Sequence, residues 1–236
     1  MSLAFVRYSS VAVKESKDLQ MDPPPIVYVI DDDPIARQTL VAVVESMRLE
    51  AVSFTNADEF LAVYSEDRPC CLVTDLRMQG MSGLDLLRHL RKMNRVIPTI
   101  IVTGFAETPT AVDAMHAGAV TYLEKSAPQH KISVAISEAV NVSHRLLARK
   151  AERDRITQIW DSINPEERRI LQLVAQGKLN KEIAFEIGAA LRTVEDRRRR
   201  LMAKIGADSI ADLIRFAVRV EELEQPSSDP IQSNAS

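Results

Sequence analysis

Ile26-Val27-Tyr28-Val29-Ile30-Asp31-Asp32-Asp33-Pro34 is the stretch that decides the fold. Five apolar residues run together and are stopped by three acids and a proline. That pattern reads as a strand buried on both faces, followed by a turn that opens a helix. The same pattern recurs downstream: Cys71-Leu72-Val73-Thr74 ends at Asp75, Thr99-Ile100-Ile101-Val102 at Thr103, and Val120-Thr121-Tyr122-Leu123-Glu124 at Lys125. Strands are expected near 26–30, 50–54, 70–75, 98–102 and 119–123, with helices near 34–47, 56–64, 83–93, 107–117 and 129–148. Strict alternation of strand and helix predicts an α/β domain, a doubly wound parallel sheet of (βα)5 form.

In such a sheet, ligands bind beyond the carboxyl ends of the strands. Asp31, Asp32, Asp75, Thr103 and Lys125 all stand at those ends, so they converge on one pocket. Three carboxylates that close repel one another unless a divalent cation lies among them. A carboxylate beside such a cation can attack a phosphoryl group, with a lysine ammonium and a hydroxyl to steady the oxygens. Nothing in the set performs redox chemistry or cuts a peptide bond. Asp31-Asp32-Asp33 also contains the Asp-x-Asp of haloacid dehalogenase-type phosphatases, but Pro34-Ile35 follows where those have Gly-Thr.

Local signals mark several helices. Ile35, Leu40, Val43, Val44 and Met47 fall on one face of the first. Asn56 suits an N-cap, and Gly118 a C′ position. Residues 1–25 show no period and end in three prolines, as a flexible extension would. From Gln129 to about Trp160 there is neither Gly nor Pro, so a helical linker is expected over 146–160.

Residues 161–220 read as all-helical, a four-helix helix-turn-helix domain. Asn164-Pro165-Glu166-Glu167 starts a helix that Gly177 ends. Asn180 caps Lys181–Ile187, Thr193 opens the next helix, Gly206 ends it, and Ser209 opens a last helix through Phe216. The polar tail 221–236 is expected to be disordered.

Charge divides the same way. Residues 26–127 hold 9 Lys and Arg against 14 Asp and Glu, net −5; residues 161–219 hold 12 against 9, net +3. Only the second half is suited to a polyanion. Cys70 and Cys71 are neighbours on a strand, point to opposite faces and are expected to stay free thiols. No run approaches a membrane span and the first residues lack a signal-peptide core, so the expected location is cytoplasmic, with no membrane partner.

The five strand-end residues, with Val73-Thr74-Asp75-Leu76-Arg77-Met78, Met81-Ser82-Gly83 and Ala117-Gly118-Ala119, resemble the receiver domain of bacterial two-component response regulators over residues 26–145. The resemblance implies that Asp75 accepts phosphate from a histidine kinase. It further implies that Asp32 binds Mg2+ directly and Asp31 through water, with the Arg77 carbonyl completing the metal site. Thr103 and Tyr122 would turn inward on phosphorylation, and the surface of the fourth helix, fifth strand and fifth helix would form a homodimer. Two departures touch loops only: Ser126 follows Lys125 where the family has Pro, and Gln79 stands at another frequent Pro position.

Leu173-Val174-Ala175-Gln176-Gly177, Asn180-Lys181-Glu182-Ile183-Ala184, Arg192-Thr193-Val194-Glu195 and Met202-Ala203-Lys204-Ile205 resemble the LuxR/NarL/FixJ helix-turn-helix domain. In that family Lys181, Arg192 and Thr193 would touch phosphates of double-stranded DNA, and Glu195, Asp196 and Arg199 would face the groove. Val194, Leu201 and Ile205 should pack inward, leaving Arg197, Arg198, Arg199, Arg200 and Lys204 as a cationic surface. Arg197 replaces the family's frequent His, and Ala190 its Ser or Thr, which leaves Thr193 as the expected cap. The chain thus reads as a DNA-binding transcriptional regulator of the NarL/FixJ type, not a metabolic enzyme, with Mg2+ as cofactor. The alternative is a phosphorylation-independent DNA-binding regulator with a structural receiver.

Overall fold

A computed structural model describes residues 24–65, 67–104 and 107–224. The expected extension over 1–25 lies outside the described residues except for its last two, and the expected disorder of the tail lies outside them beyond residue 224.

The first half alternates β1 (Ile26–Ile30), α1 (Pro34–Ser46), β2 (Glu50–Phe54), α2 (Ala57–Val63), β3 (Cys70–Asp75), α3 (Gly83–Lys92), β4 (Thr99–Thr103), α4 (Thr108–His116) and β5 (Thr121–Glu124), and then enters α5 (Gln129–Ser162). All four strand pairings are parallel, in the order β2-β1-β3-β4-β5. The chain leaves β1 first toward one edge and later toward the other, so the switch point lies between β1 and β3, which end in Asp31 and Asp75. β1, β3 and β4 are buried at every residue, as uninterrupted apolar runs require when helices cover both faces.

One face packs Val27, Val29, Cys71, Val73, Ile100 and Val102 against α1 and α5; the other packs Tyr28, Ile30 and Leu72 against Phe60 of α2 and Leu86 and Leu90 of α3. Asp33 caps α1 by accepting the Ile35 N–H at 2.9 Å, and Asn56 caps α2 by accepting the Glu59 N–H at 3.0 Å. Gly118 follows α4 with φ 89°, the left-handed turn expected of it. The apolar face of α1 is smaller than its sequence suggests. Leu40, Val43 and Val44 are buried, but Ile35, in the first turn, is 75% exposed. Both cysteines are free and buried.

The fifth helix and the stretch read as a linker form one helix of 34 residues, about 51 Å long. Its first part buries Ile132, Ala135, Ile136 and Ala139 against the sheet, and Ile156 joins the second core. Between Ser143 and Ile156 it buries no side chain. Beyond it lie α6 (Pro165–Ala175), α7 (Asn180–Glu186), α8 (Leu191–Ile205) and α9 (Ile210–Glu224), around a core that includes Ile170, Leu173, Ile183, Val194, Leu201 and Phe216. Arg168 fastens the junction: its guanidinium lies 4.3 Å from the Trp160 ring centroid and donates to the Trp160 and Ile163 carbonyls. α9 runs past Phe216 to Glu224, so residues 221–224 are helical rather than tail.

Candidate functional site

The loops after β1 and β3 bring three carboxylates together. Asp31, Asp32 and Asp75 each place an oxygen within 4.8 Å of the others. Asp31 is fully buried and Asp75 nearly so, while Asp32 is exposed. Lys125, just after β5, sets its Nζ 2.7 Å from Asp31 Oδ2 and 2.7 Å from Asp75 Oδ2. One ammonium thus bridges two acids that would otherwise repel across the switch point. Backbone amides hold the carboxylates in place: Asp33 N–H donates to Asp31 Oδ1 at 3.0 Å, Arg77 N–H to Asp75 Oδ1 at 3.3 Å, and Gln79 N–H to Asp32 Oδ2 at 3.2 Å.

Burial pushes the Asp31 carboxyl above the usual carboxylate range, despite the hydrogen bonds from Lys125 and the Asp33 amide. For Lys125 burial acts downward, but the hydrogen bonds to Asp31 and Asp75 prevail and hold its ammonium above the ordinary lysine value. Lys125 is therefore charged across the physiological range. Three hard oxygen donors, one open to solvent, are a donor set for a divalent cation of the magnesium class.

Gly83 opens α3 directly beneath Asp75, where a β-carbon would lie 2.2 Å from the Asp75 carbonyl oxygen. Its N–H donates to the Leu76 carbonyl at 3.1 Å. Thr103 is buried at the end of β4, beside β3, and its carbonyl accepts the Lys125 N–H at 2.7 Å. Tyr122 packs on β5 beside Ala114 and Ala119, and its buried hydroxyl has no hydrogen-bond partner among the described residues. The described peptide bonds are all trans, including Lys125–Ser126. Arg77 reaches across the mouth of the site to Glu107 at 3.1 Å.

In the second half, Val194, Leu201 and Ile205 are buried on one face of α8, as expected. Its start differs from expectation. α8 opens at Leu191 with Ala190 as N-cap, and no side chain caps it; Thr193 lies one turn inside, held by its own N–H to the Ala190 carbonyl at 2.9 Å. Asn180 does not cap α7 either: Leu179 is the cap, its N–H donating to Glu182 at 2.7 Å, and Asn180 accepts from Arg198.

The ten residues expected to meet DNA separate into two groups. Lys181, Arg192, Glu195, Arg199 and Arg200 are exposed, Arg199 to 79% of its side chain, and Asp196 pairs with Arg199 at 3.1 Å along the same helix. Thr193, half-buried, stays with this set; the other three are tied to neighbouring helices, Lys204 among them although its side chain is 38% exposed. Arg197 pairs with Glu166 at 2.7 Å, Arg198 with Asn180, and Lys204 with the buried Glu167 at 2.6 Å and the Ser162 carbonyl at 3.3 Å. The uniform cationic surface read from the arginine run is thereby divided: three of its cations sit on the flanks of the buried stripe, engaged with α6, α7 and the end of α5.

The comparisons with known proteins agree with this geometry. Residues 27–137 match the response regulator receiver domain, and residues 161–217 match the bacterial regulatory proteins of the luxR family. Nodulation protein W of Bradyrhizobium diazoefficiens is 37% identical over 194 residues, 81% of this chain and 85% of its own length. This chain belongs to the response regulators of two-component systems. The transcriptional regulatory protein FixJ of Rhizobium meliloti is likewise 37% identical over 195 residues, covering 81% of this chain and 94% of that protein. The structure of the response regulator StyR superposes with a TM-score of 0.79 at 32% identity, over 84% of this chain and all of that one. This response regulator joins a receiver to a LuxR-type DNA-binding domain and is a transcriptional regulator, phosphorylation by a histidine kinase being the general mechanism. Among its described residues, no helix is long and apolar enough to cross a membrane.

Sequence reading missed Glu166, Glu167 and Asn180 as partners of α8. The signal for Glu167 was present: Asn164 and Glu167 form a reciprocal capping box, with Asn164 Oδ1 accepting the Glu167 N–H at 2.9 Å and Glu167 Oε2 accepting the Asn164 N–H at 3.1 Å. That box fixes the Glu167 carboxylate at the start of α6, where Lys204 meets it.

Proposed function

We propose that Asp75 is the phosphoacceptor of this response regulator and that its phosphorylation controls DNA binding by residues 161–220. The single observation that carries this reading is Lys125 bridging Asp31 and Asp75, 2.7 Å from each, beside a cluster of three carboxylates. A carboxylate oxygen of Asp75 attacks phosphorus, the bond to the donor's imidazole nitrogen breaks, and an acyl phosphate remains on Asp75. Lys125, already poised between the acids, follows the new negative charge. Asp31 and Asp32, with the Arg77 carbonyl and Asp75 itself, would hold Mg2+, which supplies charge neutralisation to the phosphoryl oxygens. Thr103 and Tyr122 are the switch pair. The unpartnered Tyr122 hydroxyl supports this, because a buried polar group without a partner favours rearrangement. The reading extends to a phosphorylation-driven homodimer through α4, β5 and α5, and to a cytoplasmic location, where DNA and kinase both lie.

On the DNA side, Lys181, Arg192 and Thr193 take phosphates while Glu195, Asp196 and Arg199 face base edges; Arg200 adds to the cationic surface. The test is labelling with acetyl phosphate in the presence and absence of Mg2+. Wild type incorporates one phosphoryl group in a Mg2+-dependent manner, and Asp75→Asn, close to isosteric, incorporates none while keeping its circular dichroism. Stoichiometric label on Asp75→Asn rules the nucleophile out. Light scattering of the labelled protein should show the dimer, and an unchanged mass after labelling counts against it.

A further inference from the structure

The polar ties of α8 lie on two sides of its buried stripe. At about 100° per residue, Arg197 and Lys204 stand on one flank of Val194, Leu201 and Ile205, and Arg198 stands on the other. Arg197 meets Glu166 at 2.7 Å and Lys204 meets Glu167 at 2.6 Å, so two adjacent acids in the first turn of α6 hold two cations two turns apart on α8. On the opposite flank Arg198 donates to Asn180 at the start of α7. An apolar stripe alone tolerates rotation of a helix about its own axis, since dispersion contacts have no direction. Ion pairs and hydrogen bonds on both flanks do not.

We infer that Glu166 is a specificity-determining positioning residue: through Arg197 it fixes the roll of α8, and with it the direction in which Arg199, Glu195 and Asp196 meet base edges. The inference rests on the proposed DNA reading of α8. Arg197 is 31% exposed at its side chain against 79% for Arg199, and its partner Glu166, 66% exposed, sits on α6, so the pair can set the helix from its flank. Roll matters more for base contacts than for phosphate contacts. A base edge accepts a narrow fan of donor directions, whereas long basic side chains follow phosphates through small rotations.

The experiment begins with selection of binding sites from a randomised duplex library by the phosphorylated wild-type chain. If nothing is enriched, the DNA reading itself fails, a result distinct from failure of the roll inference. With a consensus duplex in hand, affinities for it and for a scrambled duplex are measured at matched salt for Glu166→Gln, Arg197→Gln and the double variant, each checked for native circular dichroism and melting. Taking the ratio of the two affinities cancels the long-range effect of a changed charge. The expected result is that each single variant lowers the consensus-to-scrambled ratio roughly two- to five-fold, the range open to a partly exposed ion pair, and that the double variant lowers it no further. Glu166→Asp, which keeps the charge, should recover part of the ratio.

Three results overturn the inference. An unchanged ratio in all variants would mean that the pair serves stability alone. A loss confined to variants lacking Arg197 would make Arg197 itself a base reader. A salt slope on scrambled DNA that steepens by about 0.9 in Glu166→Gln, with an unchanged ratio, would mean that Glu166 merely withholds Arg197 from the phosphates.

Discussion

Gly83 lies against the Asp75 backbone so closely that a β-carbon on it would stand 2.2 Å from the Asp75 carbonyl oxygen. The nearest atom is backbone, which has no rotamer to yield, so α3 docks under the acid pocket only because residue 83 lacks a side chain. Gly83→Ala should therefore push α3 and Asp75 apart. The expected cost is about 1–3 kcal/mol, the range of overpacking in a dense core. Mg2+ affinity, read from the rise in receiver melting temperature with added Mg2+, should fall with it. An unchanged melting temperature would show that the helix can shift freely.

Asp31 is a carboxylate buried for its chemistry at the expense of the fold. Burial holds its pKa above the ordinary value, so the folded chain binds this proton more tightly than the unfolded chain does. Stability then falls as pH rises from the ordinary carboxylate pKa through the raised one, and at neutral pH the penalty persists. Asp31→Asn should remove it, stabilising the receiver by about 1 kcal/mol, or several degrees in melting temperature, at pH 7 without Mg2+. Added Mg2+ should raise the melting temperature of wild type and leave the variant nearly unmoved. A destabilised variant at pH 7 would mean that the ion pair with Lys125 outweighs the burial.

Glu167 behaves in the opposite sense. Burial raises its pKa, but the hydrogen bonds from Lys204 and the Asn164 amide prevail and hold it below the usual range. Its contribution is present above the unfolded carboxylate pKa and is lost as pH falls through the folded one. Glu167→Gln should cost about 1–3 kcal/mol at pH 7, with the difference from wild type shrinking as pH falls below the ordinary carboxylate range. The chain's single tryptophan, Trp160, packs beside this core and gives the unfolding signal for the second domain.

Arg199→Ala and Lys181→Ala separate base reading from phosphate contact. Arg199→Ala should lose roughly 1–3 kcal/mol on a consensus duplex and little on a scrambled one. Lys181→Ala should weaken both alike and flatten the salt slope by about 0.9. Equal losses for Arg199→Ala on the two duplexes would make it a backbone contact.

The acid pocket was legible in the sequence because topology supplies the third dimension there. A parallel sheet sends every strand end to one edge, so Asp31, Asp75, Thr103 and Lys125 could be gathered before any distance was known. The helix α8 was less legible. Its start at Leu191 has no capping side chain; only backbone amides, those of Thr193 and Val194, meet the Ala190 carbonyl there, so no residue type marks the boundary. Four consecutive arginines differ only in azimuth, and the groups that sort them, Glu166 and Asn180, lie on other helices far along the chain. Ile35 misled for a related reason: helical periodicity gives the face a residue is on, not whether anything covers that face at its turn.

α5 carries no buried side chain between Ser143 and Ile156, yet it stays one unbroken helix from the sheet to the second core. Over those turns the two halves of the molecule are related by the screw of a single helix rather than by a packed interface. One residue added there would advance the DNA-binding half by about 1.5 Å and swing it through about 100°, while seven would bring it back to within about 20° of its bearing. The compass direction of α8, seen from the receiver, is therefore written as a count of residues.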